Sequence, residues 1–150
     1  MSPQNSMSSA DDNLEGSSPR TARILVVEDE ALVCWSLSSI LAKKGHTITV
    51  VTTGEDAVKQ LSGNHYDLVI TDLKLPHIDG FEVSTFVKKS QPGLPVIMIS
   101  TEDNPSIADH LGRKVIDYFM EKPFDLDDMV SLIDTCLKQF RNPVSYETRR

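Results

Sequence analysis

Five short apolar runs rich in β-branched residues divide this sequence, at residues 23–27, 47–51, 68–71, 96–100 and 115–119. All five are too apolar to leave one face in water. Strands buried on both faces belong to parallel sheets covered by helices. Between and after the runs lie stretches with helical signals. Residues 31–44 carry Val33, Leu37, Ile40 and Leu41 on one stripe, and Gly45 stops them. Thr53, Gly54, Glu55 and Asp56 start a second helix with a capping-box-like pattern. A third helix covers residues 79–89 and ends before Pro92-Gly93, and Asn104-Pro105 opens a fourth. Asp125 caps a fifth, with a stripe of Leu126, Met129, Val130, Ile133, Leu137 and Phe140. Five β-then-α units of this length predict a doubly wound α/β fold.

The flanks read differently. Residues 1–20 hold six Ser, two Pro and one Gly with almost no large apolar side chain, which predicts a disordered arm. Residues 141–150 predict a second tail, leaving 21–140 as one domain without internal repeats. Of the 150 residues, 39% are hydrophobic and the net charge is −7. That acid surplus argues against direct nucleic-acid binding and against docking on an anionic membrane. No run approaches the roughly 20 apolar residues of a membrane span, and residues 1–20 lack a signal peptide's apolar core. Cys34 and Cys136 lie far apart without a CxxC, so a cytoplasmic chain with two inert reduced thiols is expected. The four histidines at 46, 65, 77 and 110 show no ligand spacing and read as surface residues.

In such a fold, ligands bind outside the carboxyl ends of the strands. The first run leads into Glu28-Asp29-Glu30, the third ends on Thr71-Asp72, the fourth on Ser100-Thr101, and the fifth leads into Lys122-Pro123. Glu28, Asp29 and Asp72 then share one rim. At ~5 Å and an effective dielectric of ~20, each like-charge pair costs roughly 3 kcal/mol. A proton, Lys122 or a divalent cation must offset that cost. Oxygen ligands without His or Cys favour Mg²⁺ over zinc. A carboxylate beside Mg²⁺, a lysine and a hydroxyl is suited to attack phosphorus and hold a phosphoryl group.

The segments ILVVEDE, VITDLKLPHIDGFE, VIMIST and FMEKPF resemble, in order and spacing, the receiver domain of bacterial two-component response regulators. The steps are 43 residues from Asp29 to Asp72, 28 to Ser100 and 22 to Lys122. The resemblance implies a flavodoxin-like sheet of order 2-1-3-4-5 with five helices. It makes Asp72 the phosphoacceptor, Asp29 a direct Mg²⁺ ligand, Glu28 a ligand through water, and the backbone carbonyl of Lys74 the third protein ligand. Lys122 matches the lysine that contacts the phosphoryl oxygens, its bond to Pro123 usually cis. Ser100 matches the switch hydroxyl. Phe119, three residues before Lys122, matches the switch aromatic, with Tyr118 one residue too early. Pro76 and Asp79-Gly80 fit the loop before the third helix.

The implied function is phosphoacceptance from a histidine kinase or histidine phosphotransfer protein, or a place in a multistep phosphorelay. Output would pass to a protein target through the face formed by the fourth helix, fifth strand and fifth helix. No output domain is read in these 150 residues, so a stand-alone switch with only slow self-dephosphorylation is expected. The sequence departs from the family at Thr101, where a small residue is usual, and in the stretch Gly112-Arg113-Lys114-Val115-Ile116 before the last strand, where Ala-Gly-Ala is common. Lys74 and Glu102 flank the phosphoryl site in the family, and as a pair they would screen the attacking water. A phosphohydrolase of the haloacid-dehalogenase type wants a second Asp where Lys74 stands. A flavodoxin electron carrier wants a Ser/Thr/Gly-rich loop where Glu28-Asp29-Glu30 stands. Trp35, opposite the apolar stripe of its helix, reads either as a partner anchor, which the resemblance would direct toward the phosphodonor's helices, or as a ring lying along neighbouring side chains.

Overall fold

The computed structural model describes residues 21–101 and 105–140. The five strands are β1 (Arg23–Val27), β2 (Thr47–Val51), β3 (Leu68–Asp72), β4 (Val96–Ser100) and β5 (Tyr118–Glu121). The helices are α1 (Ala31–Lys43), α2 (Gly54–Gly63), α3 (Gly80–Ser90), α4 (Pro105–Gly112) and α5 (Leu126–Phe140). All strand pairings are parallel, in the order β2-β1-β3-β4-β5. This is the expected doubly wound arrangement. The arm and tail assigned to residues 1–20 and 141–150 lie outside the described residues, as do Glu102 and Asn104.

Alternation along the strands sends side chains to two apolar layers. Leu25, Val27, Val69, Val96 and Met98 pack with Ala57, Leu61, Val83, Val87 and Ile107 from α2, α3 and α4. Ile24, Val26, Leu68, Ile70, Ile97 and Ile99 pack with Leu37 and Leu41 of α1 and with Met129, Ile133, Cys136 and Leu137 of α5. The helix stops and starts follow local chemistry. Gly45 takes φ +91°, and its N–H donates to the Ala42 carbonyl at the end of α1. The Thr53 hydroxyl accepts from the Asp56 N–H. Asp79 and Glu82 form a reciprocal capping box on α3, so Asp79 is the cap and not the first helical residue. Asp125 accepts from the N–H groups of Asp127 and Asp128.

Three expectations need correction. The fifth strand begins at Tyr118, not at residue 115. The N–H groups of Val115 and Ile116 donate to the His110 carbonyl, closing the turn after α4, where Lys114 takes φ 62°. They are therefore unavailable to the ladder, although Ile116 is buried. The edge strands β2 and β5 are also not buried on both faces: Thr47 and Val50 are exposed, and Tyr118, Phe119 and Met120 are half-buried. Finally, His46 is a buried residue whose Nδ1 accepts the Ala22 N–H at 3.0 Å, and His110 is half-buried. Only His65 and His77 are exposed as expected.

Candidate functional site

The carboxyl ends of β1, β3 and β4 converge because these three strands are neighbours in register. Val27 pairs with Thr71, and Asp72 pairs with Ile99. The turn leaving β1 therefore faces the last residue of β3. One carboxylate oxygen from each of Glu28, Asp29 and Asp72 lies within 4.8 Å of the others. Glu28 is fully buried, Asp72 nearly so, and Asp29 is exposed. Glycine is required at the base of this site. A Cβ on Gly80 would stand 2.3 Å from the Asp72 carbonyl oxygen, so α3 docks directly on the loop that follows Asp72.

Lys122 enters from the other side, after β5, its N–H donating to the Ser100 carbonyl at 2.8 Å and its bond to Pro123 cis. Its ammonium meets Glu30 Oε1 at 2.7 Å, Glu28 Oε1 at 2.9 Å and Asp72 Oδ2 at 3.5 Å. Burial by itself would push this ammonium down. The hydrogen bonds to Glu30 and Glu28, with the charge of Asp72, outweigh burial and hold it well above the usual lysine range. Burial raises both Glu28 and Asp72 above the ordinary carboxylate range, against the opposing pull of Lys122. The N–H of Glu30 donates to Glu28 Oε2. Among the described residues Glu28 Oε1 has no partner other than the Lys122 ammonium. An all-carboxylate donor set with one buried, incompletely satisfied oxygen fits a hard divalent cation.

The other expected residues lie around this centre. Ser100 is buried at the end of β4, one position beyond the residue paired with Asp72. Lys74 is exposed, and its backbone N–H together with that of Leu73 favours the ionised Asp72. Phe119 pairs with Met98 and packs on the α2–α3–α4 layer, away from the carboxylates. Tyr118 faces the opposite layer and donates its hydroxyl to Gln139 Oε1. The Cys34 thiol donates to the Glu28 carbonyl at 3.2 Å, and burial raises its pKa; burial likewise pushes Cys136 up to about 12. Both thiols are thus poor nucleophiles. The contact that sequence reasoning missed is Glu30, whose partner lies 92 positions away. Its signal was present, as the third acid of Glu28-Asp29-Glu30, but acid runs before a helix are ordinary.

Comparison with known proteins agrees with this geometry. Residues 24–134 match the family described as the response regulator receiver domain. The chain belongs to that family. It is 37% identical over 109 residues to the transcriptional regulatory protein TcrA of Mycobacterium tuberculosis, covering 71% of this chain and 42% of that protein. Among solved structures, NtrX from Brucella abortus superimposes with a TM-score of 0.78 at 28% identity, over 87% of this chain and 30% of NtrX. A CheY-like receiver domain protein from Methanospirillum hungatei gives a TM-score of 0.78 at 22% identity, over 83% of this chain and 99% of its own length. The chain therefore spans less than half of the curated relative TcrA. A receiver domain of two-component signalling accounts for the fold and for the acidic rim.

Proposed function

We propose that Asp72 accepts a phosphoryl group from a phosphohistidine on a histidine kinase or phosphotransfer protein. The observation that carries this is the placement of Asp72 at a strand end, within 4.8 Å of Glu28 and Asp29 oxygens and 3.5 Å from the Lys122 ammonium. An Asp72 oxygen attacks phosphorus as the P–N bond breaks, and that bond's electron pair returns to the imidazole. Glu28, Asp29 and Asp72, with the Lys74 carbonyl, are the residues that would hold Mg²⁺. When bound, Mg²⁺ supplies positive charge against the carboxylates and the phosphoryl oxygens. Lys122 moves onto a phosphoryl oxygen, and the buried Ser100 hydroxyl turns toward the same group. Water attack on the acyl phosphate resets the switch slowly; no further substrate is turned over.

Phosphorylation exchanges one carboxylate charge for about −2. Ser100 lies on β4, and β5 with Phe119 is its neighbour, so the α4–β5–α5 face is where the change reaches a protein target. For the donor, α1 offers Leu32, 75% exposed, and Trp35, 67% exposed, three residues apart on one helical face beside Asp29. No described helix is long and apolar enough to cross a membrane. A cytoplasmic role is the reading consistent with this donor chemistry. Incubating the chain with acetyl phosphate and Mg²⁺ should add the mass of one phosphoryl group. An Asp72→Asn chain should gain none. An adduct that persists in Asp72→Asn, or that never forms on the parent, overturns the proposal.

A further inference from the structure

We propose that Glu30 is a positioning residue that holds Lys122 in its resting place and competes with the incoming phosphoryl group for the ammonium. The inference rests on the phosphoacceptor reading of Asp72. The closest carboxylate to Lys122 is not the acceptor, at 3.5 Å, but Glu30, at 2.7 Å. Glu30 stands at the N-cap of α1, where a short polar side chain would bind the helix's free N–H groups, yet it makes no side-chain cap. Its carboxylate reaches instead across the rim to a lysine after β5. Its own N–H is spent on Glu28 Oε2, which fixes the backbone from which that reach is made.

The two acids nearest Lys122 differ in kind. Glu28 is fully buried, so its pairing with the ammonium is needed to keep a charge inside the fold. The Glu30 side chain is 60% exposed and can return to water at little cost when Lys122 leaves it. Glu30 is therefore a releasable restraint. It stabilises the unphosphorylated arrangement of Lys122, and the free energy of breaking that contact is subtracted from phosphoryl binding. Removing Glu30 should make the pocket take a phosphoryl group more readily without disturbing the carboxylate cluster or the fold.

The experiment titrates the full chain with beryllofluoride, a phosphoryl mimic, in saturating Mg²⁺ by calorimetry, comparing parent, Glu30→Gln and Glu30→Ala. Both variants should bind about threefold more tightly, the size expected of a partly exposed ion pair. A direct contact and a diffuse field effect differ in salt dependence. The ratio of variant to parent affinity should persist between about 0.05 and about 0.5 M salt, because a contact at hydrogen-bond distance lies inside even a short Debye length. Equal affinities, weaker binding by the variants, or a gain that vanishes in high salt would each overturn the role of Glu30. A parent chain that neither binds beryllofluoride nor gains phosphoryl mass overturns instead the acceptor reading beneath it.

Discussion

Asp72 and Glu28 are carboxylates kept where ionisation is costly, and that cost makes a measurable prediction. Burial raises Asp72 above its ordinary value of 3.8, so the folded state binds its proton more tightly than the unfolded chain does. Its contribution to stability is then fully present below pH 3.8 and is lost as pH rises through the raised value. In chelator, Asp72→Asn should therefore melt ~2–4 °C higher than the parent at neutral pH, as about 1 kcal/mol gives in a domain of this size. Thermal unfolding across pH should show that gap closing as the pH falls toward the ordinary carboxylate range. Lys122 has the opposite sign. Replacing it by Met strands the Glu28 charge in the interior, where a broken buried pair costs about 3–5 kcal/mol. Denaturant unfolding at neutral pH should show that loss, and adding Glu28→Gln should recover most of it. Loss in Lys122→Met that Glu28→Gln leaves untouched would mean that the lysine stem, not the charge, supports the fold.

At the level of single elements, what was legible depended on whether one signal specified both burial and pairing. In β1 and β4 the apolar run is the ladder and the core at once, and the sequence boundaries match the strands. Val115 and Ile116 carry the same apolar signal, but their N–H groups serve the turn after α4, so the run marked burial and not strand pairing. A lone buried His46 has no periodicity to betray it. The acidic cluster was legible because strand ends are where such folds gather polar groups, whereas the reach of Glu30 depends on a tertiary contact. The start of α3 tests how tightly element and site are joined. A Cβ at position 80 would meet backbone, the Asp72 carbonyl at 2.3 Å, which cannot yield without moving Asp72. Gly80→Ala should cost at least about 2 kcal/mol and impair phosphoryl uptake. Gly63, at the end of α2, has nothing within 4 Å of such a Cβ, and Gly63→Ala should be neutral or stabilise by about 0.5 kcal/mol. Chemical denaturation of the two variants decides between a specific packing constraint and a general intolerance of substitution.

Across the whole molecule, the two apolar layers are unequal in how they can respond. The strands that lead to the carboxylates, β1 and β3, sit inside the sheet, with Ile24 to Val27 and Leu68 to Ile70 wholly buried. The far edge is looser: β5 has four residues, none fully buried, and α4 is eight residues long. What ties α4 to its neighbour α3 includes one ring pair, Phe81 stacked on His110 with centroids 3.7 Å apart. Under the proposed function, a charge change at Asp72 is delivered between a rigid centre and an adaptable edge, and populations shift where restoring forces are weakest. Beryllofluoride with Mg²⁺ should change amide hydrogen exchange in residues 105–121 while leaving β1 and β3 unaltered. Phe119 is half-buried on the α4 side of β5, and under the proposed function it couples that edge to Ser100. Phe119→Ala should accept phosphoryl groups from acetyl phosphate within about twofold of the parent rate, because no charge in the pocket is touched, a change of under about 0.5 kcal/mol in barrier. The same variant should lose most of the exchange response in α4. A response that survives intact in Phe119→Ala would place the coupling in the backbone between β4 and α4 and not in the aromatic ring.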